Sequence, residues 1–414
     1  MSDRRVVVTG MGVVTSLGES VEDFWNGLIA CKSGVRKISL FDTTGYDVHI
    51  GGECPFDGER HFDRKTIKRL DRFAQFAIVA AREAVKQCGV DFSNYDGDLY
   101  RVGSIIGAGI GGLKEFEEQH QRLIEKGAGK VSAFTIPKLM INAAAGNIAI
   151  EFGIKGLTTT VGTACASAGH GMRDAYNAIR YNDADMMITG GSEAALTPIG
   201  LSAFAAMKAL SVRNDDPAGA SRPWDRDRDG FILAEGAGIL IFEELEHARK
   251  RGAEIIGEVL GFGASTDAGH IAQPDEDGVG AAHSMQMCLN NAKVNPDQVD
   301  YINAHGTSTG LGDIAETMAI KKAFGAAAKK VAISSTKSSI GHLLGASGGV
   351  ELIATLMAMK NSTLPPTLNL DNPSEGCDLD YVPKAPRDRR ISKAMSNSFG
   401  FGGHNSTVLV GRFE

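Results

Sequence analysis

Short β-branched or apolar runs alternate with runs of helical period along the whole chain, and this alternation confines it to an α/β architecture in which helices cover strands. The strand-like runs are residues 4–9, 101–106, 157–161, 186–189, 239–242, 331–334 and 407–410, each bounded by glycine or polar turns. Between them, residues 65–87 place Ile67, Leu70, Phe73, Ala74, Ala77, Ile78 and Ala81 on one stripe and stop before Gly89, a spacing that predicts a helix. Further helices are predicted over 113–126, 168–181, 279–292, 314–324 and 348–360. At 414 residues with 51 glycines, the chain exceeds a typical single domain and has ample material for tight strand-to-helix turns. Two domains, or one large duplicated unit, are expected. A division near residue 255 separates 1–255 from 256–414, because the charged segment 243–251 closes one half and a fresh strand, 254–261, opens the next. No repeat period and no low-complexity linker is visible.

Composition removes several function classes. A formal net charge of −7 argues against general nucleic-acid binding, although one local basic cluster stands at Arg64, Lys65, Lys68, Arg69 and Arg72. No stretch approaches an uncharged membrane span, and Arg4-Arg5 followed by Val6-Val7-Val8-Thr9-Gly10-Met11-Gly12 is too short and glycine-broken for a signal segment, so it reads as a first strand and turn. The cysteines at 31, 54, 88, 165, 288 and 377 form no C-x-x-C pair, and free thiols in a reducing cytoplasm are expected.

Two motifs attract attention and fail. Gly107-Ala108-Gly109-Ile110-Gly111-Gly112 satisfies G-x-G-x-x-G between a strand and a helix, yet the following strand-like stretch, 131–136, lacks the ribose-binding acid of a dinucleotide site. A tight loop lining some other pocket is the better reading. Asp225-Arg226-Asp227-Arg228-Asp229-Gly230 opens like a calcium loop, but its twelfth position is Gly236, with Glu235 one place early. Arg222, Arg226 and Arg228 are expected to pair with those carboxylates in a surface loop.

Three other segments each place one reactive side chain among small residues. Cys165 lies in Thr163-Ala164-Cys165-Ala166-Ser167-Ala168-Gly169, between an apolar strand and a helix. A sulfur at that helix N-terminus meets the dipole and unpaired amides, which lower a thiol pKa and supply oxyanion donors. The remaining cysteines are expected to be structural. His305 lies in Asn303-Ala304-His305-Gly306-Thr307 and His342 in Gly341-His342-Leu343-Leu344-Gly345, each after a strand-like run. A cysteine hydrolase or simple acyltransferase needs one histidine. Two histidines point to two donors aimed at one oxygen, as an enolate formed by decarboxylation of a malonyl thioester would require.

At these residues the chain resembles the β-ketoacyl-acyl carrier protein synthases, the condensing enzymes of fatty-acid synthesis, and most closely the type II elongating enzymes. The resemblance runs from the 7–12 start through Thr163-Ala164-Cys165, Ser221-Arg222-Pro223-Trp224-Asp225, Tyr301 to Thr309, Ser335-Thr336-Lys337-Ser338, Gly341-His342 and Ser396-Asn397-Ser398-Phe399-Gly400-Phe401-Gly402-Gly403. It implies a thiolase-like, five-layered αβαβα fold of two similar halves, the cysteine in the first and both histidines in the second. It implies a cytoplasmic homodimer with residues 137–153 near the partner subunit, acyl carrier protein as acyl and malonyl donor, and no redox or nucleotide cofactor. Cys165 would hold the acyl chain, the amides of Cys165 and Phe401 its oxyanion, and His305 and His342 the malonyl thioester.

The same resemblance assigns further positions. Lys337 matches the family's essential lysine, with Glu316 beside the histidine site, and Phe401 matches a mobile gate. Ile110 matches the residue limiting acyl depth, with Phe204 and Phe231 lining the same region, and Thr307, Thr309 and Gly402 are assigned to substrate binding. Asn303, Glu316, Glu351, Ser396 and Asn397 match an internal monovalent-cation site or form a plain hydrogen-bond network. Lys65, Lys68, Arg69 and Lys208 become candidate docking groups for the acidic carrier. Departures stand at Gly269, Ala272, Gly310 and His404, where relatives often carry Tyr, Thr, Pro and Thr. The alternatives are an acyltransferase or condensing enzyme of a specialised acyl pathway, and a noncatalytic chain-length-factor-like partner, which would lack the cysteine.

Overall fold

The computed structural model describes residues 4–413. Ten strands form its main sheet: β1 (Val6–Val14), β2 (Val102–Gly107), β3 (Thr158–Val161), β4 (Met186–Glu193), β5 (Gly236–Glu244), β6 (Gly257–Thr266), β7 (Tyr301–Asn303), β8 (Ala332–Ser334), β9 (Lys393–Gly400) and β10 (His404–Gly411). Their spatial order is β8-β7-β9-β10-β6-β1-β5-β4-β2-β3. Read inward from either edge, each set of five runs third, second, fourth, fifth, first. The strand senses repeat as well: β2 is parallel to β3 and β4 while β5 is antiparallel to β4 and β1, and β7 is parallel to β8 and β9 while β10 is antiparallel to β9 and β6. The chain is therefore a duplication whose halves meet where Val6–Val8 of β1 pairs antiparallel with residues 257–259 of β6.

Five helices fix the layers. α1 (Arg72–Cys88) covers β1 and β5 on one outer face, and α3 (Val279–Ala292), with α4 (Gly310–Phe324) packed beside it, covers β6 and β10 on the other. Between the half-sheets lie α2 (Ser167–Arg180), against β2 and β4, and α5 (Ser347–Asn361), against β5 and β9. α5 buries Val350, Leu352, Ile353, Ala354, Leu356, Ala358 and Met359. Burial this far around its circumference is what a central helix requires. The central core joins residues of both halves, including Val8, Met172, Leu240, Ile353 and Val410, and the result is the αβαβα sandwich that the resemblance implies.

The structure revises three local expectations. Residues 65–87 are not one helix: a short turn of helix, Arg64–Ile67, ends before α1 begins at Arg72. Asp71 causes the break, since its carboxylate accepts the Phe73 amide as N-cap and the Glu115 amide from a neighbouring helix. Arg72 consequently leaves the basic face and turns inward, its guanidinium bonding both oxygens of buried Glu235 at 2.9 and 2.6 Å. Finally, 221–229 is a surface loop only at the exposed Arg226, Asp227 and Asp229, and Arg222 and Arg226 pair with Asp225 and Asp227 as expected. Trp224 and Asp225 are fully buried, Asp225 accepts the Arg222 guanidinium and the amides of Asp227, Asp371 and Asn372, and Arg228 pairs with buried Asp313 at 3.2 Å.

Candidate active site

The first half delivers a cysteine on a sharp turn. After β3 the backbone enters the left-handed region at Ala164 (φ 49°), and α2 starts at Ser167. Ser167 ties the turn: its hydroxyl accepts the Thr163 amide at 2.9 Å and donates to the Ala164 carbonyl at 2.6 Å. Strained backbone at a reactive side chain is a recurrent feature of functional sites. The end of β9 crosses this turn so closely that a Cβ on Gly400 would stand 2.8 Å from the Thr163 oxygen and 3.0 Å from the Cys165 nitrogen. Gly400 thus keeps open the space beside the Cys165 amide. The Phe401 amide, at the next residue, favours negative charge on the sulfur.

The thiol itself departs from expectation. Burial pushes Cys165 up to about 12, opposed by the positive charge of Lys337 and reinforced by Glu193. Desolvation outweighs the helix terminus here because the sulfur is enclosed and α2 begins two residues later.

The second half delivers both histidines. His342 Nε2 lies 3.0 Å from Cys165 Sγ, and its Nδ1 lies 3.0 Å from Ser347 Oγ. The His305 ring stands edge-to-face with His342 at 5.3 Å between centroids. Its main chain is pinned by Glu316, whose two oxygens accept the His305 and Gly306 amides at 2.9 and 2.7 Å, and Lys337 Nζ is 3.4 Å from its Nδ1. Burial first, then the charge of Lys337, holds both imidazoles well below the ordinary histidine value, with His342 adding to the effect on His305. Both rings are neutral near pH 7 and can donate or accept a hydrogen bond.

Behind them, Lys337 is buried and ion-pairs with buried Glu351. Burial raises the Glu316 carboxyl to about 7. Asn303 Oδ1 and Glu351 Oε2 are buried and have no hydrogen-bond partner among the described residues, whereas Glu316 also accepts from Asn397 at 3.2 Å and Asn397 Oδ1 accepts from Thr407. Two unsatisfied hard oxygens fit the chemistry of a monovalent cation. No cluster of three or more His, Cys, Asp or Glu placed to hold a metal ion occurs among the described residues.

A cavity of about 590 Å³ connects these groups: Cys165, His305, His342, Phe401, Phe204, Phe231, Thr307, Thr309 and Lys208 all line it. Ring contacts run from Phe401 to the histidines, Phe401 to Phe204 at 6.5 Å, Phe204 to Phe231 at 5.5 Å and Phe231 to His342 at 5.3 Å. Gly402 stands outside the lining, and its amide donates to the Ile271 carbonyl at 2.7 Å, while Gly403 accepts from the Asp267 amide at 2.9 Å. Ala272 and His270 line the cavity, whereas His404 is not among its lining residues and its ring stands 6.4 Å from that of His170. Lys65, Lys68 and Arg69 are exposed and do not line the cavity, and Arg69 stacks over Phe134 at 5.3 Å.

Ile110 packs into the apolar cluster that also holds Cys165 and Phe231, and its loop explains the failed dinucleotide motif. The amides of Gly109, Ile110 and Gly111 converge on the buried Glu193 carboxylate at 2.7, 3.1 and 3.0 Å, so a protein side chain already occupies the anion nest. The same carboxylate accepts the Gly345 amide at 3.2 Å and so joins the Ile110 loop to the His342 loop. Sequence reasoning missed Glu193 and Ser347. The available signal for Glu193 was a lone acid closing an apolar strand.

Comparison with known proteins agrees with this geometry. Residues 3–248 match the family described as Beta-ketoacyl synthase, N-terminal domain, and residues 256–371 match Beta-ketoacyl synthase, C-terminal domain. The chain is 48% identical over 413 residues to 3-oxoacyl-[acyl-carrier-protein] synthase 2 of Coxiella burnetii, covering 100% of this chain and 99% of that protein. It is 48% identical over 415 residues to the protein of the same name from Vibrio cholerae, with 100% of both covered. A solved complex described as a type II PKS acyl-carrier protein with its ketosynthase bound to the hexaketide contains a chain that superposes with a TM-score of 0.92 at 34% identity, covering 100% of each. A duplicated five-layer fold, a cysteine from one half facing two histidines from the other, and matches spanning both halves lead to one assignment: the chain belongs to the β-ketoacyl synthase family.

Proposed function

We propose that this protein is a 3-oxoacyl-[acyl-carrier-protein] synthase, an acyltransferase that condenses an acyl chain held on Cys165 with malonyl-acyl carrier protein in fatty-acid elongation. The observation that carries the reading is the approach of His342 Nε2 to Cys165 Sγ at 3.0 Å with a second neutral imidazole, His305, edge-on beside it. Thioester exchange moves the acyl group to Cys165 Sγ and the thiol proton to the departing carrier thiol. The amides of Cys165 and Phe401, kept accessible by Gly400, receive the tetrahedral oxyanion. Malonyl thioester then enters, His305 and His342 donate to its carbonyl oxygen, and loss of CO₂ leaves an enolate. The enolate carbon attacks the acyl-Cys165 carbonyl, the C–S bond breaks, and the sulfur regains a proton from solvent. Water is kept from the enolate by the apolar wall of Phe204, Phe231 and Phe401. Lys337 acts through the two imidazoles, and Ile110 bounds the acyl end of the site.

Several further statements belong to the same reading. The carrier protein docks on Lys65, Lys68, Arg69 and Lys208, exposed cations of an otherwise acidic protein, the last of which also lines the cavity. The protein is a homodimer: Phe134, Ile136, Met140, Ile141, Ile150 and Leu157 are exposed large apolar residues in one stretch of chain, and β3 is an open sheet edge beside them. The halves divide at residue 255, between the helix Leu245–Lys250 and β6. Asn303 and Glu351 hold a monovalent cation, with Glu316, Ser396 and Asn397 around it. No helix among the described residues is long and apolar enough to cross a membrane, and the enzyme works in the cytoplasm, without nucleic acid as a partner.

Mass spectrometry tests the core of the proposal. Mixing with acyl-carrier protein should place the acyl mass on Cys165, and malonyl-carrier protein should then discharge it as a 3-oxoacyl product two carbons longer. An unmodified Cys165 overturns the enzyme reading, and an adduct that malonyl-carrier protein does not discharge replaces it with a plain acyltransferase.

A further inference from the structure

The two nitrogens of His342 have opposite surroundings. Nε2 faces Cys165 Sγ and the cavity, while Nδ1 faces Ser347 Oγ in the dry interior at the start of α5. Ser347 is 1% exposed, and its oxygen also accepts the Leu343 amide at 3.1 Å. These are the hydrogen bonds of that hydroxyl among the described residues, so once the Leu343 amide occupies one lone pair, the hydroxyl proton has Nδ1 as its acceptor. An imidazole that accepts at Nδ1 carries its own proton at Nε2. The reverse arrangement, Nδ1–H donating to Ser347, strands a buried hydroxyl proton without a partner.

His305 has a parallel arrangement. Its Nδ1 meets the Lys337 ammonium at 3.4 Å, a group that can only donate, so His305 also carries its proton at Nε2. The two rings therefore face the cavity with like ends, and each is oriented from behind by a donor from the second half of the chain.

We propose that Ser347 is a positioning residue that fixes His342 as its Nε2–H tautomer, making the ring a standing donor, first to the Cys165 sulfur and then to the oxygen of the malonyl thioester. The second of these roles rests on the condensing-enzyme reading; the tautomer does not. Ser347 touches no substrate in this scheme, and its effect on the reaction passes through His342.

The test uses full-length protein labelled with ¹⁵N-histidine, with His342 assigned by the loss of its signals in His342→Ala. In the wild type, Nε2 should give the protonated-nitrogen shift and Nδ1 the unprotonated one. In Ser347→Ala the two shifts should move toward each other as the tautomers mix, and elongation should fall about tenfold, with a smaller loss in acyl transfer to Cys165. A proton on Nδ1 in the wild type overturns the proposal even if the variant fails to fold. Unchanged His342 shifts in a folded Ser347→Ala protein overturn it as well. A wild type showing the Nε2–H tautomer but forming no 3-oxoacyl product supports the role of Ser347 and removes the condensing-enzyme reading instead.

Discussion

Glu193→Gln isolates the carboxylate that joins the Ile110 loop to the His342 loop. Oε2 accepts the Gly109 and Gly345 amides and Oε1 those of Ile110 and Gly111, so glutamine retains one acceptor oxygen and turns an NH₂ group toward two N–H donors. Hydrogen bonds to a charged acceptor contribute about 1.5–3 kcal/mol each, so losing two costs about 3–6 kcal/mol. Part of that returns, because burial already holds the Glu193 carboxyl above its ordinary range and the variant no longer buries a charge. A net loss of about 2–4 kcal/mol remains. With an unfolding entropy of about 2.1 cal/mol/K per residue, a chain of 414 residues has about 0.9 kcal/mol/K, and Tm should fall by about 2–5 °C at matched protein concentration. Differential scanning calorimetry reads that shift. A chain-length series of acyl-carrier proteins reads the second consequence: a loosened Ile110 loop accepts longer chains, and a displaced Gly345 slows every condensation. A Tm within a degree of wild type together with an unaltered chain-length profile would refute the role given to this carboxylate.

Charge reversal at both Lys65 and Lys68 should raise KM for carrier-bound substrates about tenfold while sparing short soluble thioesters, since both side chains are exposed and outside the cavity; equal effects on the two substrate classes would remove the docking assignment. Because the folded-state pKa values of His305 and His342 are depressed, both rings should stay neutral as pH falls from 7.5 to 6.0, and ¹⁵N spectra showing half-protonation near 6.5 would contradict their enclosure. The Cys165 thiol, pushed up to about 12, should be alkylated at a rate that climbs steadily between pH 7 and 9, whereas a plateau in that window would show a preformed thiolate. Gly400→Ala places a methyl group against the Cys165 amide and should slow acyl transfer about 10²–10³-fold with unchanged circular dichroism; wild-type rates would mean that the amide is not an oxyanion donor.

What could be read from the sequence depended on the range of the interaction. The predicted ranges 113–126 and 279–292 coincide with observed helices because local period and flanking glycines determine them. Cys165, His305 and His342 were legible for a related reason: each sits among small residues, Cys165 and His305 soon after a strand and His342 just past the short helix Lys337–Ile340 that follows β8, and the duplicated topology carries these segments to one cavity. The break at Lys68–Asp71 was not legible, since it depends on Asp71 finding the Glu115 amide 44 positions away. Arg72 likewise looked solvent-facing until buried Glu235, 163 positions away, gave it a partner. The thiol was misjudged because a helix terminus is visible in sequence while the enclosure that opposes it is not. The duplication itself was invisible by eye because the two halves share strand order and sense more than they share residues.

Lys337 shows why the reactive groups need to be enclosed together. Second to burial, which depresses both imidazoles and raises the thiol, its positive charge lowers the proton affinity of His305, His342 and Cys165 alike, which helps to keep two imidazoles uncharged and brings the thiol nearer to ionisation. In water such a charge would be weakened by the high dielectric and screened by salt over about 8–10 Å. Buried against Glu351, it acts on all three at once, and Glu351 keeps the enclosed ammonium from standing unpaired. The same dryness that raises the thiol pKa is what makes neutral donors effective at a developing enolate, where a hydrogen bond strengthens as the dielectric falls. A more exposed site would release a thiolate more readily and stabilise an enolate less. The observed burial favours the second step over the first, and a condensing enzyme that holds its acyl chain while it waits for malonyl thioester has reason to make that choice.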